Sequence, residues 1–89
     1  MPTVHFTANL AKHRDTPKVT VEAATVRAAL DAATEADPLL RGYVVDEQGR
    51  LRKHLNIFVD GTLISDRLRL SDAVTPRSEI FVMQALSGG

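Results

Sequence analysis

The residues best placed to do chemistry are the last two. Gly88-Gly89 follows Glu79-Ile80-Phe81-Val82-Met83-Gln84-Ala85-Leu86-Ser87, a stretch that reads as a strand and then a polar step. A glycine has no Cβ, loses much entropy on ordering and adds nothing to a core. Two of them at a carboxyl end read as a thin, flexible thread, suited to a narrow active-site channel of another protein. On that reading the carboxylate of Gly89 is itself the reactive group. A frayed terminus is the alternative.

Other chemistry is hard to build from this chain. It has no cysteine, which removes disulfides, thiolate zinc sites, iron–sulfur ligation and thiol nucleophiles. If the protein handles sulfur, the sulfur must ride somewhere other than a side-chain thiol. His5, His13 and His54 have no metal-ligand spacing. Asp15, Asp46, Glu47, Asp60, Asp66 and Asp72 fall mostly in expected turns, where aspartate caps backbone amides. No carboxylate pair, Ser–His–Asp arrangement or phosphate loop stands out. The expectation is a protein that is not an enzyme acting alone, with no metal and no bound cofactor.

The composition bounds the class. Eighty-nine residues make one domain with one modest core. Eleven basic residues balance eleven acidic ones, which argues against nucleic acid as a main partner. No apolar run approaches a membrane span. The N-terminal residues lack the pattern of a secretory signal, so the cytoplasm is the expected compartment.

Elements that would position the tail follow from periodicity. Thr3 to Thr7 and Lys18 to Glu22 alternate as half-buried strands, with Val4, Phe6, Val19 and Val21 inward. Ala8 to Pro17 is a polar connection between them. Thr25 is a good N-cap for a helix over Val26 to Ala36, whose Val26, Ala29, Leu30 and Ala33 share one face. Asp37-Pro38 is expected to stop it. Leu39 to Gly42 reads as a bridging segment and Tyr43 to Asp46 as a short extended stretch. Leu55 to Val59 is the clearest strand. Asp60-Gly61 is a hairpin turn with Thr62 to Ile64 as the return strand. Ser65 to Pro76 loops over the core, and Glu79 to Leu86 forms the last strand. The simplest packing is an α+β domain, a mixed sheet of four to five strands with one helix across it. The first and last strands then lie side by side in its centre, in parallel.

This order, with Asn56-Ile57-Phe58-Val59-Asp60-Gly61 and Ala85-Leu86-Ser87-Gly88-Gly89, resembles the ubiquitin-like β-grasp sulfur carriers of the ThiS/MoaD family. The likeness covers essentially the whole of residues 1–89, with 85–89 as the tail. Arg52-Lys53-His54-Leu55-Asn56-Ile57 looks most like the CysO-like branch, and the tail is similar to MoaD tails but lacks their preceding prolines. The resemblance implies that a ubiquitin-activating-type adenylyltransferase spends ATP to adenylate Gly89. A sulfur donor then converts it to a thiocarboxylate, and a sulfur-acceptor synthase receives the sulfur. The acceptors ahead are a molybdopterin precursor and activated serine for cysteine synthesis; thiazole and transfer RNA stay open. Gly88, Ser87 and Leu86 would thread with Gly89 into the enzyme. The rivals are a ubiquitin-like modifier conjugated through Gly89 and a β-grasp interaction subunit whose tail is never activated.

The partner surface can be placed by alternation. If Ile80 and Val82 face the helix, Phe81 and Met83 face outward. If Leu55, Ile57 and Val59 face inward, Phe58 faces outward beside them. An antiparallel face left in water is normally polar, so Phe58, Phe81 and Met83 are expected to form an apolar docking patch beside the tail. The alternatives are a covering loop or a register inverted by one residue. Arg41, Arg50, Arg52 and Lys53 are expected to form a solvated charge run, with flanking of the patch as the alternative.

Overall fold

The computed structural model describes residues 1–6, 18–35 and 37–84. The connection Ala8–Pro17 and the tail 85–89 lie outside these, so the expectations placed on them stand as expectations. Along the chain run β1 (Thr3–Phe6), β2 (Lys18–Thr20), α1 (Val26–Ala33), α2 (Pro38–Val44), β3 (Leu55–Val59), β4 (Thr62–Leu63) and β5 (Glu79–Gln84). The strands form one sheet in the order β2-β1-β5-β3-β4. β1 and β5 pair in parallel, and the other three pairings are antiparallel. The first and last strands are therefore central neighbours, as the pattern required.

Each element has a local cause. Thr25 caps α1, its Oγ1 accepting from the Ala28 amide at 3.1 Å. Val26, Ala29 and Leu30 on its inner face are buried. The β3–β4 turn places both central residues at positive φ, Asp60 at 51° and Gly61 at 85°. That is the type I′ geometry whose twist matches a hairpin. Alternation then separates the sheet faces. Val4, Leu55, Ile57, Ile80 and Val82 lie fully buried and join Leu40, Val44, Leu51 and Leu70 in one core under the helices.

The helical layer differs from the single helix expected. α1 stops at Ala33, and Thr34 turns its buried hydroxyl back onto the Leu30 carbonyl at 2.7 Å. Asp37-Pro38 does not merely end a helix; it begins another. The Asp37 carboxylate accepts from the Leu40 amide at 3.2 Å, and Pro38 occupies the first turn, where its missing N–H costs nothing. Tyr43 and Val44, expected to be extended, close α2, and Val45 makes only an isolated bridge to Leu51. The loop after β4 runs over the core through Leu70, which is fully buried at φ 56°. Among the described residues no helix is long and apolar enough to cross a membrane.

Candidate functional site

The outer face of the sheet carries one cross-strand row in register across all five strands: Lys18, His5, Phe81, Phe58 and Leu63. β5 is central, so Phe81 sits in the middle of the row with a neighbour on each side. The His5 ring stacks on Phe81 with centroids 4.3 Å apart and planes within 8°. Its Nε2 lies 2.5 Å from Glu79 Oε1, one outward position back along β5. Phe58 is half-buried directly across from Phe81, and Leu63 beyond it is exposed. Met83, half-buried, is opposite Asn56 in the next outward row. The structure thus brings Phe58, Phe81 and Met83 onto one face of two adjacent strands. The pattern analysis missed His5, although parallel pairing of β1 with β5 puts it beside Phe81 by alternation alone.

The two ends of β5 are built differently. At its start, Asp60 Oδ1 accepts from the Glu79 amide at 2.9 Å, and Oδ2 accepts from the Ser78 hydroxyl at 3.1 Å. The same hydroxyl accepts from the Thr75 amide at 2.8 Å, and Ser78 is buried. The turn residue therefore locks the beginning of the tail-bearing strand as well as shaping the hairpin. At its end, Gln84 pairs with Leu55 of β3. Leu86, Ser87, Gly88 and Gly89 follow outside the described residues.

The basic residues Arg41, Arg50, Arg52 and Lys53 lie away from the outer-face row of Phe58 and Phe81. Arg41 pairs with Asp31 at 2.6 Å, between the helices. Arg50 pairs with Asp46 at 3.0 Å, and Arg52 donates through Nε to the Gly42 carbonyl at 2.6 Å. Their chain neighbour Lys53 is exposed in the turn leading into β3. Two arginines not singled out by sequence act as clamps. Arg67 binds Asn56 Oδ1 and the carbonyls of Arg52 and Leu55. Arg27 of α1 donates to the Gly49 carbonyl at 2.6 Å and the Arg69 carbonyl at 3.2 Å, tying two loops together. Among the described residues no group of three or more His, Asp or Glu is placed to hold a metal ion.

Solved structures resemble this arrangement end to end. SAMP1 of Haloferax volcanii is 30% identical, with 99% of this chain and 98% of that one covered and a TM-score of 0.81. The chain belongs to the ubiquitin-like ThiS/MoaD-type family of sulfur carriers and modifiers. A chain of the Amycolatopsis orientalis BexX/CysO complex shares the family's fold at 21% identity, with full coverage of both chains and a TM-score of 0.83. Sulfolobus solfataricus Urm1 does so at 16% identity, with 93% and 99% covered and a TM-score of 0.71. No protein-family model matches the chain, and no curated protein matches it by sequence. The ubiquitin-like β-grasp expected from the element order is the fold observed, with α2 added to the helical layer.

Proposed function

We propose that this protein is a sulfur carrier whose Gly89 carboxylate is activated by a partner enzyme. The observation that carries the reading is the dual use of β5. Its inner face is core, its outer face bears Phe81 and Met83, and its end continues into Leu86-Ser87-Gly88-Gly89. Membership in a carrier and modifier family supports it. A partner adenylyltransferase of the ubiquitin-activating type docks on Phe58, Phe81 and Met83 and takes the tail. A Gly89 carboxylate oxygen attacks the α-phosphorus of ATP, and pyrophosphate leaves. Sulfide delivered by a sulfur donor then attacks the acyl carbon, AMP leaves with the bonding pair, and loss of the sulfhydryl proton leaves a thiocarboxylate. A carboxylate is a poor electrophile until such a leaving group is installed. The carrier supplies neither base nor nucleophile, and its partners supply both. A synthase then accepts the sulfur, for molybdopterin or cysteine synthesis. The carrier itself is no enzyme and works in the cytoplasm.

A second reading has an observation of its own. A further solved structure, 27% identical over 96% of this chain, is H. volcanii small archaeal modifier protein 1, so conjugation of Gly89 to a lysine amine is the rival fate of the same adenylate. Intact mass spectrometry after incubation with an activating enzyme, ATP and sulfide separates the two. Exchange of one oxygen for sulfur on Gly89 is the expected result. Larger conjugates without that exchange point to the modifier. An unchanged mass, with Gly89→Ala indistinguishable from the parent in ATP–pyrophosphate exchange, refutes activation altogether.

A further inference from the structure

Beside the base of the tail lies a cleft of about 800 Å³ between the segment leading into β3 and the loop after β4. It is lined by Arg50, Arg52, Lys53 and Arg67 against Asp46 and Asp66. Four fixed cations against two carboxylates leave a surplus of positive charge. Hydrogen bonding leaves that surplus in place and occupies the carboxylates. Asp46 is spent on Arg50 and on the amides of Gln48 and Arg50. Asp66 accepts from the amides of Leu68, Arg69 and Ser71 and from the Ser71 hydroxyl. Every group that the Arg52 and Arg67 side chains bind is neutral: the carbonyls of Gly42, Arg52, Lys53 and Leu55, and the Asn56 amide oxygen. Carbonyls orient a guanidinium but do not cancel its charge. The Lys53 carbonyl accepts from Arg67, but the side chains of Lys53 and His54, both exposed residues, make no hydrogen bond or ion pair among the described residues.

The place of this charge matters. Arg67 grips the Leu55 carbonyl, and Leu55 is the strand partner of Gln84. Five residues separate Gln84 from the chain end. At roughly 3.5 Å per residue they span at most about 18 Å. A protein groove that holds Gly89 therefore lies within that reach of the end of β5, beside which the cleft sits.

We infer that the cleft receives an acidic, carboxylate-bearing loop of the enzyme that takes the tail, with Arg52, Lys53 and Arg67 as its contacts. Planar guanidiniums with unused N–H donors match carboxylates in fork geometry, and Lys53 adds a mobile point charge. A cleft of this charge steers the encounter and fixes the approach, so that the tail enters already aligned. The identity of the enzyme rests on the carrier reading; the affinity for carboxylates does not.

A hexaglutamate peptide titrated into the isotope-labelled chain tests the affinity by amide chemical shifts. Shifts are expected on residues 50–55 and 65–68. They should weaken as ionic strength rises from about 0.01 to 0.15 M, where the screening length falls from roughly 30 to 8 Å. Lys53→Glu changes a side chain without folding partners and should weaken binding by about fivefold, the scale of an exposed pair reversed. Arg77→Glu, the same charge change before the far end of β5, should alter it less than about twofold. With the activating enzyme, Lys53→Glu should raise KM for the carrier and leave kcat unchanged. Shifts spread over the whole chain, or equal losses from both variants, overturn the cleft as the site. Inorganic phosphate binding there more tightly than the peptide overturns the acidic loop in favour of a small anion. Peptide binding at the cleft with no activation of Gly89 refutes the carrier reading alone.

Discussion

Phe81→Ala separates what the outer face does for folding from what it does for a partner. Phe81 leaves 37% of its surface in water. On a phenylalanine of about 200 Å² that is about 75 Å² still available to a partner, and about 125 Å² already covered. At ~25 cal/mol per Å², covering the remainder contributes about 1.9 kcal/mol to docking, or roughly 20-fold in affinity. The covered part contributes about 3 kcal/mol to folding, with the His5 stack included in that contact. A loss of that size lowers Tm by about 12–24 °C in a domain this small, so the kinetics belong well below the new midpoint. The assay is ATP–pyrophosphate exchange by the activating enzyme, with carrier concentration varied. KM should rise about 20-fold while kcat stays within about twofold, because the tail is untouched. Leu39→Ala is the control, removing a more exposed apolar side chain from α2 rather than from the sheet face. An unchanged KM in Phe81→Ala, or an equal rise in Leu39→Ala, refutes the docking face.

Three further outcomes follow from the geometry. Gly49 sits at φ +80°, and an added Cβ would lie 3.0 Å from an Arg27 Nη1; Gly49→Ala should therefore lower Tm in thermal denaturation by about 4–12 °C. Asp60→Ala loses the Glu79 and Ser78 contacts and a residue suited to positive φ, and should cost about 2 kcal/mol in urea unfolding. Asp60→Asn keeps the acceptor and the φ preference, and should cost less than about half of that. The Asp66 carboxyl is held down from its ordinary 3.8 to about 2, chiefly by the Arg69 amide and then the Ser71 hydroxyl. Because the folded value is the lower one, this stabilisation is complete above about pH 4 and is lost as pH falls toward 2. Asp66→Asn should flatten that acid limb of the stability–pH curve and leave its shape near neutrality alone.

What could be read from the chain was whatever its physics writes locally. Alternation in Thr3–Phe6, Leu55–Val59 and Glu79–Met83 sorts core from surface without knowledge of the partners. Asp60-Gly61 and Thr25 declare a turn and a cap through backbone chemistry that is complete within a few residues. Phe58 and Phe81 could be placed together because the strand order made β3 and β5 neighbours. α2 was missed because Pro38 serves equally as a helix stop and as a first-turn residue. A seven-residue element containing Gly42 has too little periodicity to decide between them. The arginine clamps were missed for another reason. Arg27 sits beside Asp31 and Glu35 in the sequence pattern and looks like a solvated helix face. Its acceptors are backbone carbonyls 22 and 42 positions away, and carbonyls have no sequence identity.

On the carrier reading, the reactive end is attached to the best-supported strand of the fold. β5 is hydrogen-bonded on both sides, in parallel to β1 and antiparallel to β3, and its first residues are pinned by Asp60. An edge strand would have one neighbour and could fray along with the tail it carries. Drawing a thread into another protein's channel already loses the thread's conformational freedom, and any loosening of its base would add to that loss. A central strand holds the backbone of Gln84 in place at the point where residues 85–89 begin. It also fixes the outer row through Phe81 and the cleft at Leu55 relative to the point where the tail departs. On the carrier reading, a partner that recognises the outer row and the cleft thereby aligns the approach of Gly89.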